Sequence, residues 1–179
     1  MLSIAAIGLS LPLDGRITRA AVPMPTVSIK QNWPLLLVFL AVVLGIGLVV
    51  GLISAPGDYV GQLKMPPFVL PQAISGVLGL ALSVAFATAG WRTWVIDSNS
   101  TEMRLWLATM ILSWWFSPAF FILRIPALAL AVVVAIFGLM VWFELRTLSR
   151  DRPSFWLVAP SVIYIGYVAL MTAAIVAMN

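Results

Sequence analysis

The sequence predicts an all-α membrane protein, a bundle of five transmembrane helices, and three observations carry that prediction. Of 179 residues, 63% are hydrophobic and 9% are charged, whereas soluble domains are about 45 to 50% apolar and about 25% charged. The apolar residues gather in five runs, each close to the roughly 20 residues that a helix needs to cross a bilayer. The basic residues stand singly at the ends of those runs, which is where they set topology. The length gives room for one folded domain, 32–179, after an N-terminal tail, 1–31.

The tail has a short apolar start and then Asp14, Arg16, Arg19 and Lys30. A signal peptide would place its basic residues first, so the segment reads as a poorly ordered cytosolic tail. The first span, 33–54, carries Gly45, Gly47 and Gly51. This small-residue strip suits close approach by another helix. Packing within the chain is the first reading and a homodimer seam through Gly47 and Gly51 the second.

The loop 56–71 follows, with Pro66, Pro67 and Pro71 beside the charge of Lys64. Prolines lack an amide hydrogen and push their predecessors towards extended geometry, so a rigid cap is expected here. The second span, 72–95, is kept slim by glycine and alanine, and Trp91, Arg92 and Trp94 are expected to anchor its end at the headgroups. In the polar turn 97–102, Asn99 and Glu102 have the spacing of a capping box. The third span, 103–123, is aromatic, and Pro118 predicts a kink. A very short connection at Arg124 makes it an antiparallel neighbour of the fourth span, 127–148. The fifth span is 154–178.

With five spans the termini lie on opposite sides. Arg16, Arg19, Lys30, Arg92, Arg104, Arg146, Arg150 and Arg152 fall on the N-terminal side, and only Lys64 and Arg124 on the other. The excess puts the N-terminus in the cytosol and the C-terminus, with the proline loop, outside. A bacterial cell membrane is the expected setting.

The net charge of +4 therefore reflects topology, and no nucleic-acid partner is expected; the lipid bilayer is the partner that composition demands. Cysteine and histidine are both absent, which removes thiolate chemistry and the commonest general base and metal ligand. No carboxylate lies mid-span, against the habit of proton-coupled transporters. No phosphate loop, metal cluster or hydrolase nucleophile motif is present. The aromatic cluster from Trp114 to Phe121 reads first as packing and second as the wall of a cavity for a flat ligand.

Five spans, a Leu-x-Lys-Pro-like loop, a Ser-Pro-x-Phe-Phe in the third span and an Asp-x₈-Pro lead into the fifth together resemble the translocator protein or tryptophan-rich sensory protein (TspO/MBR) family, over about residues 33–172. The family's loop falls on Tyr59, Leu63, Lys64 and Pro66, with Met65 intervening, and its later proline pair on Leu70 and Pro71. The asparagine and tryptophan of its third helix fall on Ser113 and Phe116, with Pro118, Phe120 and Phe121 kept. Its aspartate falls on Asp151, its Pro-Tyr-x-x-Trp on Pro160, Ser161 and Tyr164, and its closing asparagine on Thr172. The two tryptophans implicated in the family's porphyrin photochemistry fall on Gly79 and Tyr164.

The resemblance implies a TspO-like bundle with a cavity open towards the loop. It implies a tetrapyrrole such as protoporphyrin or a haem-like molecule, or a sterol-like or synthetic aromatic compound, as ligand; no cofactor is required. Tyr59, Trp115, Phe116, Phe120 and Tyr164 would supply stacking surface, Ser113 and Ser117 polar contacts, and Pro66, Pro71 and Gly79 the shape of the pocket. Lys64 would meet a propionate at the mouth or anchor at a headgroup. The expected role is a sensor, receptor or carrier. A light-dependent porphyrin-degrading enzyme is the alternative, disfavoured by Gly79, and an interaction protein without small-molecule chemistry is another.

Overall fold

The computed structural model describes residues 29–55 and 57–179, with side chains from Asn32 onward. All but the last three residues of the expected tail lie outside the described residues, and those three open the first helix. The described residues form helices joined by turns and loops, with no strand among them. The elements are α1 (Ile29–Ile53), the short α2 (Tyr59–Gln62), α3 (Gln72–Asp97), α4 (Thr101–Ser117), α5 (Pro126–Arg150) and α6 (Arg152–Met178). Five of these, α4 being prolonged by a wider turn to Ile122, are long and apolar enough to cross a membrane. Their ends differ from the expected ones by a few residues: α3 runs on to Asp97 and α5 to Arg150, while α1 stops at Ile53.

Neighbours form a closed ring: α1 packs on α3, α3 on α6, α6 on α5, α5 on α4, and α4 returns to α1. The larger apolar core fills the end of the bundle remote from the proline loop, around Phe86, Trp91, Trp106 and Phe143. There Gly90 is required by a close approach. A Cβ on it would stand 2.2 Å from the Trp106 ring, whose indole N–H donates to the Phe86 carbonyl at 2.9 Å.

The same end is tied by ions. Arg92 of α3 donates to both carboxylate oxygens of Asp151, at 2.9 and 2.7 Å, across 59 positions of chain. Ser154 adds a further hydrogen bond to that carboxylate. Burial would raise the Asp151 pKa, but the hydrogen bonds from Arg92 and Ser154 and the guanidinium charge outweigh it and hold it below the usual carboxylate value. Glu102 of α4 is buried and takes Arg146 at 3.0 Å and Arg150 at 3.1 Å, both from α5. Their half-exposed guanidinium groups make this the weaker tie.

Three sequence expectations change here. Trp91 is not a headgroup anchor: it is buried, its indole N–H reaching the Asn32 carbonyl at 3.2 Å, and Arg92 turns inward to its carboxylate partner. The N-cap of α4 is Ser100, not Asn99: its hydroxyl accepts from the Met103 amide at 3.2 Å and donates to the Asp97 carbonyl at 2.7 Å. Glu102 is thereby free to pair across helices. At Pro118 the chain widens into a π-type turn over Pro118–Ile122, closed by the Leu123 amide on the Pro118 carbonyl at 2.9 Å. The missing proline amide is accommodated by an extra residue in the turn. Arg124 then takes a left-handed φ of 55° to start α5.

Candidate ligand-binding site

Midway along the bundle, α3, α4, α5 and α6 line a partly open chamber of about 200 Å³. Leu82, Phe86, Met110, Met140 and Ile165 make it mostly apolar, and Ser83, Thr109, Ser113, Ser161 and Tyr164 add hydroxyls. Its slimness on one side follows from sequence: Gly79 and Ser83, one helical turn apart on α3, leave no bulk in the wall, and a Cβ on Gly79 would meet nothing within 4 Å. The same two residues line a second space of about 290 Å³, a groove between α1 and α3 bounded also by Val43, Gly47 and Gly76. Chamber and groove thus meet at a wall without side-chain bulk.

The hydroxyls are not equivalent. Thr109 donates to the Leu105 carbonyl and Ser113 to the Thr109 carbonyl, each at 2.8 Å and four residues back. The Tyr164 hydroxyl reaches the Ser75 carbonyl at 3.4 Å. Ser161 is 4% exposed and its Oγ has no hydrogen-bond partner among the described residues.

The proline segment closes the other end of the bundle. Rather than wholly irregular, it contains the single turn α2, from which Tyr59 packs edge-on to Phe120 and under the Arg124 guanidinium, 5.3 Å from the ring centre. Leu63 and Met65 join Phe116, Phe120 and Phe121 in a second apolar cluster. Polar latches come from α6. The Tyr167 hydroxyl accepts from the Leu70 amide at 2.9 Å and donates to the Phe68 carbonyl at 3.1 Å. The Asn179 amide accepts from the Lys64 N–H at 2.9 Å and donates to the Lys64 carbonyl at 3.2 Å.

Of the expected site residues, Gly79, Ser113 and Tyr164 line the chamber. Tyr59, Phe116 and Phe120 belong to the apolar seal beneath the loop. Lys64 is an exposed part of the lid, Pro66 is buried in it, and Pro71 precedes the first turn of α3. Ser117 is half-buried at the start of the wide turn. Trp115 is 60% exposed on the outer surface, and it is Trp114 that packs against the core. No loop residue lines the chamber. Sequence reasoning passed over Thr109 and Ser161 as site residues. Their signal is faint, a hydroxyl inside an apolar run.

A bundle of five helices long and apolar enough to span a membrane is the fold that the sequence resemblance implied, and a family model described as TspO/MBR family matches residues 38–178. The chain belongs to the TspO/MBR family. As a TspO/MBR member it is an integral membrane protein. A comparison with curated proteins finds no match. Relative to the family's pattern, Gly79 is the telling residue: it lines both the chamber and the groove, and neither it nor Tyr164 carries an indole.

Proposed function

We propose that the protein binds an apolar small molecule inside the bundle, as a sensor, receptor or carrier, with the loop as its lid. The observation that carries this reading is the shared wall at Gly79 and Ser83. Drug-sized pockets run from about 300 Å³ upward. The chamber alone falls below that, so a sterol-like or tetrapyrrole-like ligand would occupy chamber and groove together, passing over Gly79. Titrating the purified protein with protoporphyrin should quench its tryptophan fluorescence saturably in the micromolar range. Gly79→Phe should weaken binding by about tenfold or more, a loss of about 1.4 kcal/mol. No quenching by the wild-type protein would remove the tetrapyrrole reading.

A second reading is favoured by α1. Within the chain, a Cβ on Gly45, Gly47 or Gly51 meets nothing within 4 Å, so the close intrachain packing expected of the strip is not made. As an alternative to a ligand in the groove, which Gly47 also lines, we propose that the strip seats a second copy of the chain, small residues permitting close helix approach. Cross-linked dimers should vanish when Gly47 and Gly51 both become leucine, and dimers that persist would exclude this seam.

The orientation we propose puts the ion-paired end of the bundle in the cytosol of a bacterial cell and the lid outside. Arg92, Arg146 and Arg150 share the ion-paired end through their carboxylate partners, in keeping with the excess of basic residues on cytosolic loops. Cysteines introduced at positions 64 and 150 should be labelled from outside and inside respectively; the reverse pattern would invert the assignment.

A further inference from the structure

Among the described residues two buried hydroxyls have no hydrogen-bond partner, Ser54 just past α1 and Ser161, and of these Ser161 lines the chamber. Thr88, Thr93, Thr109, Ser113 and Thr172 each donate to the carbonyl four residues back. Such a bond satisfies the hydroxyl hydrogen and leaves only acceptor lone pairs. Ser161 makes no such bond, although it is 4% exposed and lines the chamber. A buried hydroxyl without a partner is destabilising and asks for an explanation. Around it the chamber offers the opposite kind of group: the oxygens of Thr109 and Ser113 have spent their hydrogens on their own helix.

Resting on the ligand-binding reading above, we propose that Ser161 is the polar anchor of the chamber and donates its hydroxyl hydrogen to a carbonyl oxygen of the ligand. The occupant of the chamber is then a compact, otherwise apolar ketone, or the ketone-bearing end of a larger apolar molecule whose body extends past Gly79. At about 200 Å³ the chamber holds one or two fused rings and excludes a bulkier polar head. A ligand without an acceptor would leave the Ser161 hydroxyl unpaired, and the site discriminates against it on that account.

The matched pair 1-indanone and indane tests this, since the two differ by the carbonyl. Binding is measured by calorimetry to the full chain in nanodiscs, with empty nanodiscs subtracted. The ketone should bind wild type about tenfold tighter than the hydrocarbon. Ser161→Ala should abolish that preference by weakening the ketone alone, and Ser161→Thr should retain it. An unchanged unfolding temperature for Ser161→Ala would confirm that the variant folds. Equal affinities on wild type, the outcome if Ser161 is merely hydrated, or a preference that survives Ser161→Ala would overturn the anchor. If protoporphyrin quenching persists in that case, the binding reading stands without it. Failure of both compounds and of protoporphyrin to bind removes the chamber reading and the anchor together.

Discussion

Arg92 and Asp151 meet through two hydrogen bonds, at 2.9 and 2.7 Å, and in doing so fasten the end of α3 to the start of α6. Both side chains are largely buried, at 14% and 5% exposure. Removing one partner of a buried pair strands the other charge, which costs about 3 to 5 kcal/mol. Asp151→Asn and Arg92→Ala should each lower stability by roughly 3 kcal/mol in detergent unfolding experiments. The double change to leucines should recover part of the loss. Single changes that cost under about 1 kcal/mol would rank this pair with exposed ones.

The pH dependence follows from the same carboxylate. Its folded pKa is lowered, so its contribution is fully present above the unfolded value of about 3.9 and is lost as pH falls through the folded one. Unfolding temperature should therefore vary little from this group between neutral pH and about pH 5, then decline in acid. The acid slope should flatten in Asp151→Asn; an equally steep decline there would assign it to other groups.

Two glycines of α3 should respond oppositely to alanine. Gly90→Ala drives a methyl into the Trp106 ring and should cost about 1 to 3 kcal/mol, the range for overpacking. Gly79→Ala meets nothing within 4 Å and should be neutral or stabilising by up to about 1 kcal/mol, from helix propensity. Thermal unfolding of the two variants side by side decides the matter. A tolerated Gly90→Ala would mean that Trp106 moves freely.

The lid should loosen when its latch is cut. Tyr167→Phe removes the acceptor for the Leu70 amide and the donor to the Phe68 carbonyl. At about 1 kcal/mol per bond, hydrogen exchange at Leu70 should accelerate by roughly five- to thirtyfold while exchange in α5 stays unchanged. Unaltered exchange at Leu70 would show that the apolar contacts of Tyr59 hold the lid without Tyr167.

The five spans and the family were legible because a bilayer-crossing helix must be long and apolar, and 63% hydrophobic residues leave little else to form. Which face of each helix turns inward was not. In water the buried face is the apolar one, but in lipid both faces are apolar. Nothing in the sequence separates Trp114, packed on the core, from Trp115, exposed outside. The Arg92 and Asp151 pair was hidden by the 59 positions between its partners. Each charge alone reads as a loop residue or a headgroup anchor. Gly79, by contrast, was visible in advance because the resemblance supplied a place where a large ring is expected.

The part played by α6 bears on how the molecule is made. This last helix contributes Ser161, Tyr164 and Ile165 to the chamber, Asp151 as the counter-charge of Arg92 just ahead of its first residue, and Tyr167 and Asn179 to the lid. A chain emerges from the ribosome N-terminal end first. Until α6 enters the bilayer, Arg92 lacks its carboxylate, the lid lacks its latches and the chamber lacks a wall. On the ligand-binding reading proposed above, affinity is acquired only once α6 has joined the four earlier spans, and an insertion intermediate halted before α6 should be blind to the ligand.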